Sequence, residues 1–278
     1  LLFIRMLKEK STRFLKMHGL GNDFAIFDAR LNPLPALDIG RLSNRKTGIG
    51  FDQMAVLSAH EGADCFMHIY NADGGRVGAC GNMTRCVADI LLKESSKDKV
   101  IIATDAGLLN CWKSDAEQCW ISVDMGAPKF DWADIPLAKE CDSGAVPIDV
   151  DGYSAPFTVN VGNPHAVFFV DDVQAVALDV VGAKIECHAM FPEKTNVEFA
   201  HIIDGENIRM RVWERGTGIT DACGTGACAT LIAAAARGLS SRAAYIHLDG
   251  GKLHITWSGE GHIIMSGPVA YVFDGQIY

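Results

Sequence analysis

The feature that most constrains this chain is that it matches itself. "GLGNDFAIF" (19–27) is answered by "NVGNPHAVF" (160–168), which pairs Gly21-Asn22 with Gly162-Asn163. Tyr70-Asn71 is answered by Trp213-Glu214, Gln53 by Asn196, and Ala79-Cys80-Gly81 by Ala222-Cys223-Gly224. The matches keep one order at a nearly constant spacing of about 140 residues, the signature of a duplicated unit. Each half must then build the same small fold.

Within each half the patterns run in parallel. Alternating or apolar β-rich runs, "DCFMHIY" and "NIRMRVW", precede a Cys-Gly turn and read as strands. After the turn come "MTRCVADILLKE" and "TGACATLIAAAAR", good helix formers, with stops expected at "KESSKD" and "RGLSS". Further strands follow: "VIIAT", "LLNCW" and "CWISVDMG" in the first half, "AYIHL", "KLHITW" and "HIIMSG" in the second. The expected fold is α/β, two pseudo-symmetric halves in which a central helix is wrapped by a mostly antiparallel, many-stranded sheet. Gly and Pro punctuation in "DMGAPKFDWADIP" places the join there. The domains expected are 1–126, rejoined by 268–278, and 127–267, with the active site in the cleft between them.

Composition narrows the partners. With 49% hydrophobic and 21% charged residues, the chain can bury a sizeable core. A net charge of −9 offers no basic surface for nucleic acid or an anionic membrane. No apolar run approaches the ~20 residues of a bilayer span. "LLFIR" is too short for the apolar core of an export signal and charged "KEKSTR" follows, so a cytoplasmic home is expected. Nine cysteines, an odd number with no C-x-x-C pair, read as free thiols in a reducing compartment.

The cysteines that matter stand at the two predicted helix starts, Cys80 in "VGACGNMTRC" and Cys223 in "DACGTGACA". Unpaired amides and the helix dipole favour a thiolate there by roughly 0.3–2 kcal/mol. The small neighbours let a substrate carboxylate approach the amides of Gly81-Asn82 and Gly224-Thr225. One such cysteine suggests a nucleophile. Two, on duplicated helix starts, suggest proton removal from one face of a carbon and return to the other. Cys86 and Cys228, further along the same helices, read as core residues.

At these motifs the chain resembles the diaminopimelate epimerase family of cofactor-independent amino-acid racemases. The resemblance runs through "KMHGLGNDF", "TGIGFDQ", "YNADGG", "ACGNMTRC", "VNVGNPHAV", "TNVEF" and "WERGTGITDACGTGACA". It implies Cys80 and Cys223 as acid and base, with His165 and Glu214 tuning their protonation. It implies further that Asn22, Gln53, Asn71, Asn163, Asn196, Glu214 and Arg215 hold the substrate. That substrate is a small diamino-dicarboxylate, interconverted between LL- and meso-diaminopimelate on the route to lysine and cell-wall precursors. No pyridoxal phosphate, other cofactor or metal is implied, and a homodimer is compatible with it. The C-terminal strand, near 269–278, is expected to return to the first half. Met83 stands where the family usually has glycine or alanine, and Ile219 and Asp221 also depart from its pattern.

Three other readings compete. A proline or hydroxyproline racemase of the same superfamily usually shows Cys-Gly-His where this chain has Cys80-Gly81-Asn82. A thiol redox enzyme needs one reactive cysteine, and an inert binding protein needs neither.

Overall fold

The structure, a computed structural model, describes residues 11–278; the "LLFIR" segment read for export lies outside the described residues. The chain divides into two compact units. One ends at Val123 and resumes at Pro268–Tyr278; the other is Asp124–Gly267.

The first unit contains β1 (Thr12–Gly19), β2 (Asn22–Asp28), a short helix α1 (Ile39–Ser43), β3 (Gln53–Ser58), β4 (Cys65–Asn71), β5 (Arg76–Val77), α2 (Gly81–Ser95), β6 (Lys99–Thr104), β7 (Gly107–Lys113) and β8 (Ile121–Asp124). Strand β2 runs antiparallel to β1 and parallel to β3. Strand β4 runs antiparallel to β3 and β5 but parallel to β6, and β6, β7 and β8 continue antiparallel.

The second unit opens with a two-stranded ribbon, β9 (Asp149–Val150) and β10 (Tyr153–Ser154). It then repeats the first. Its elements are β11 (Phe157–Asn160), β12 (Pro164–Phe169), α3 (Leu178–Glu186), β13 (Asn196–Asp204), β14 (Asn207–Glu214), β15 (Gly218–Thr220), α4 (Gly224–Ala236), β16 (Ala243–Leu248), β17 (Gly251–Trp257) and β18 (Ile263–Gly267). The pairings from β11 to β18 are those from β1 to β8, parallel pairs included. Register repeats too: Phe24 lies opposite Gln53 as His165 lies opposite Asn196, and Met54 opposite Tyr70 as Val197 opposite Trp213. The spacing of the repeat shifts between the two parallel strands, where the units carry different helices, and shifts again after the central helices. The last strand, β19 (Ala270–Ile277), pairs antiparallel with β1 in the first unit. The α/β architecture expected from the repeat is the one observed, a helix packed against a mostly antiparallel sheet in each unit.

The two central helices reach the same place by different compositions. Helix α4 is alanine-rich and buried from Ala227 to Ala234, so it suits a site enclosed by strands on several sides. Helix α2 buries Asn82 to Ala88 with Leu91 and Leu92, and exposes Lys93 to Ser95. Both stop where glycine or serine enters the left-handed region, at Ser96 and Gly238. Cys86 and Cys228 are fully buried, as core residues.

Helices α1 and α3 were not among the elements expected. In "LDVVGAKIE", two valines and a glycine weaken the helical pattern. Tertiary packing supplies the reason for the glycine. A methyl group on Gly182 would lie 2.7 Å from Cβ of Trp213, so the helix can dock on β14 only without a side chain there. The second unit's main core gathers Phe168, Phe199, Val197, Met190 and Phe191, while one cluster of the first joins Phe14, Phe27, Phe51 and Met54.

Candidate active site

Each cysteine singled out above is the residue immediately before a central helix. Cys80 precedes α2 and Cys223 precedes α4, both with extended backbone. The amides of a helix's first turn have no carbonyl partner within the helix, so they are available to an anion or a side chain.

In the first unit, Asn22, Cys80 and Asn82 gather. The Cys80 thiol points at Asn22 Oδ1 at 3.9 Å, and Asn82 Nδ2 donates to the same oxygen at 3.4 Å. The Asn22 amide is oriented from behind, donating through Nδ2 to Asp52 Oδ2 at 3.1 Å. That carboxylate also accepts from the Asp23 amide, and Arg45 bridges Asp23 and Asp52. Burial alone would push the Asp23 carboxyl up. Arg45 and Lys16 hold it well below the ordinary carboxylate range. Gln53 and Asn71 sit opposite each other on β3 and β4, Gln53 Nε2 donating to Asn71 Oδ1 at 2.9 Å. The buried Gln53 Oε1 has no partner among the described residues.

In the second unit, the Cys223 sulfur accepts from the Gly226 amide at 3.3 Å and lies 3.5 Å from Thr225 Oγ1. It is only 4% exposed. Here the expectation of an acidified thiol is corrected. Burial pushes the Cys223 thiol well up, and the nearby carboxyls of Glu214 and Glu198 push it further, against the weaker help of Thr225 and Gly226. Desolvation outweighs the helix start.

In the same unit the expected residues fall as follows. His165 is fully buried, with Nε2 against Asn163 Oδ1 at 2.9 Å and Nδ1 against Glu198 Oε1 at 2.6 Å. Glu214 accepts a hydrogen bond from the Thr220 hydroxyl. The Asn196 amide is engaged at both ends by backbone, donating to Pro164 O at 2.8 Å and accepting from Arg215 N at 2.9 Å. Arg215 is exposed, with Nη1 donating to Glu193 O at 3.2 Å. Gly224 and Thr225 form the first turn of α4, as Gly81 and Asn82 do of α2.

Two residues of this site were not read from the sequence. Glu186, at the end of α3, accepts from Trp213 Nε1 at 2.7 Å and from the Gly216 amide at 2.9 Å, fixing the turn that carries Glu214 and Arg215. Glu198 is the other. The signal for it lay in "TNVEF": β13 is parallel to β12 and buried along its first half, so a glutamate there is a buried charge that needs a partner. Among the described residues, no three His, Cys, Asp or Glu side chains converge as a metal-ligand set. No helix among them is long and apolar enough to cross a membrane.

The chain is similar to known proteins over most of its length. The family model for diaminopimelate epimerase matches residues 14–130 and 157–272. Among similar sequences, the diaminopimelate epimerase of Rhodospirillum centenum is 50% identical over 95% of this chain and 92% of its own. Those of Zymomonas mobilis and Acidiphilium cryptum are 49% and 47% identical, again over 95% of this chain and 96% and 95% of theirs. Two solved structures share the fold at much lower identity. A PhzF-family phenazine biosynthesis protein of Bacillus anthracis has a TM-score of 0.70 at 17% identity, covering 97% of this chain and 99% of its own. A hydroxyproline epimerase of Agrobacterium vitis has a TM-score of 0.65 at 14% identity, covering 96% and 91%. At such identities the likeness is one of fold alone, so the proline-racemase reading gains nothing from it.

Proposed function

The chain belongs to the diaminopimelate epimerase family, and on that premise we propose that it interconverts LL- and meso-diaminopimelate by passing one α-proton between the thiols of Cys80 and Cys223. One observation carries the assignment of roles. Within each unit a cysteine stands at the start of the central helix, and matching positions of the repeat are polar: Asn22 and Asn163, Gln53 and Asn196, Asn71 and Glu214.

The reaction balances without any further reagent. One sulfur, as thiolate, takes the hydrogen from Cα as a proton, and the C–H electron pair moves into the adjoining carboxylate. The second sulfur, as thiol, delivers its own proton to the other face of that carbon and is left as the thiolate. The stereocentre is inverted and the two sulfurs have exchanged states. The high proton affinity of Cys223 suits it to hold the proton at rest. First-turn amides at Gly81-Asn82 and Gly224-Thr225 suit the charge that builds on the reacting carboxylate. The substrate's distal end is itself an amino acid, for which the exposed Arg215 guanidinium and the side-chain amides offer a fork and hydrogen bonds.

Incubation of the protein with LL-diaminopimelate in deuterated water tests this directly. The expected product is the meso isomer labelled at a single α-carbon, with no added reductant or cofactor. Inversion of proline or hydroxyproline instead, or activity that requires an external redox couple, would assign the chain a different reaction.

A further inference from the structure

We infer that Glu198 is a positioning residue of the Cys223 site, holding with His165 a net-neutral pair that orients the Asn163 amide and seats the first turn of α4. The inference rests on the proposed function for its kinetic consequence but on geometry for its substance.

Both side chains are fully buried and meet at 2.6 Å. The other ring nitrogen of His165 faces an acceptor, Asn163 Oδ1 at 2.9 Å, so it carries a hydrogen. One proton then remains for the Nδ1–Oε1 line. Whether it sits on the ring or on the carboxyl, the pair sums to zero charge. Burial pushes the Glu198 carboxyl up, against the pull of His165, which draws a proton into the pair. The other ionisable groups facing it are Glu214 on β14 and Cys223 at the start of α4.

Two consequences follow. Asn163, its oxygen held by His165, presents its amide NH2 to whatever binds beyond. Gly226 becomes obligatory, because a methyl group there would lie 2.8 Å from Glu198 Oε1 and 3.3 Å from the Cys223 sulfur. One glycine's width separates carboxyl from thiol. The Glu198 carboxyl already opposes loss of the Cys223 proton; sharing a proton with His165 tempers that opposition relative to a bare carboxylate.

The first unit supplies the control. Its register positions matching His165 and Glu198 are Phe24 and Ala55, both apolar and fully buried. The scaffold therefore folds without such a pair, and the pair belongs to the chemistry.

The test compares the full-length wild-type chain with Glu198→Gln and with His165→Phe/Glu198→Ala, which copies the apolar pair of the first unit. Expected for Glu198→Gln are loss of the downfield imidazole proton of His165 in NMR spectra and a kcat on LL-diaminopimelate lowered about ten- to a hundredfold. That is below the roughly 10²–10⁴ of a direct acid–base group, and KM should change much less. The double variant, with Gly226 still facing the shortened strand residue, should fold with a lowered melting point and lose more activity. Glu198→Gln with wild-type kcat and an unchanged imidazole resonance overturns the inference; so does a double variant that fails to fold while Glu198→Gln keeps full activity. A wild-type protein inactive on LL-diaminopimelate would sink the functional reading, while the resonance, which needs no substrate, would still report on the pair.

Discussion

The two helix starts are built on one scaffold and differ in almost everything chemical. Cys80 is half-buried among side-chain amides, and its unit has Phe24 and Ala55 at the positions matching His165 and Glu198. Cys223 is closed in, hydrogen-bonded to its own helix amide and backed by the His165–Glu198 pair. At the third position after each cysteine the first unit has a buried methionine, Met83, and the second Gly226. The pattern is a trade of volume: a small residue on the strand with a large one on the helix, or the reverse. Duplication conserves the backbone that aims a sulfur, and leaves each copy to set its own proton affinity.

That comparison can be broken most sharply at the sulfurs. Cys80→Ala and Cys223→Ala should each lower epimerisation by roughly 10²–10⁴-fold, and the double variant should be no worse than either single one, since the two act as a unit. Rates of solvent-deuterium uptake at Cα measure this, and independent, additive losses would mean that the two cysteines do not share one step.

The volume trade predicts opposite failures at matched positions. Met83→Ala removes buried bulk and should cost about 2–5 kcal/mol of stability. Gly226→Ala adds bulk against a carboxyl and should cost about 1–3 kcal/mol, with a larger loss of activity than Met83→Ala. Denaturant melts and kcat on the same preparations separate the two; equal profiles would erase the distinction between the units.

A further contrast is in pH. Burial pushes the thiols of Cys65 and Cys86 up to about 12. Their native forms hold protons that the unfolded chain releases near 8.5. Their contribution to stability is therefore full below about pH 8.5 and declines as pH rises toward 12. Asp23 works in the other direction. Its carboxyl is depressed in the native state, so its contribution is present above about pH 4 and declines in acid. Unfolding free energies across pH should show the alkaline decline flattened by Cys65→Ala/Cys86→Ala and the acid one by Asp23→Asn. Unchanged limbs would mean that these groups titrate alike folded and unfolded.

Much of this was legible in the residues because duplication writes the same signal twice. The strands "DCFMHIY" and "NIRMRVW" and both helix starts are weak alone and strong as a pair. Where the copies diverge, legibility fails. Helix α3 has no counterpart pattern in the first unit, and its Gly182 makes sense only once Trp213 is placed against it. Glu198 hid for the same reason, its match being an alanine that asks for nothing. The proton affinity of Cys223 went astray differently. A helix start can be read from sequence, but the burial that outweighs it belongs to strands far away in the chain.

The pairing of β1 with β19 sets an order of events in synthesis. Between the two strands comes the whole of the second unit, so on the ribosome β1 emerges with one edge exposed and keeps it exposed until all of that intervening chain has been made. The first unit to be translated is thus the last to be sealed, and an unpaired edge left waiting is a template for wrong partners.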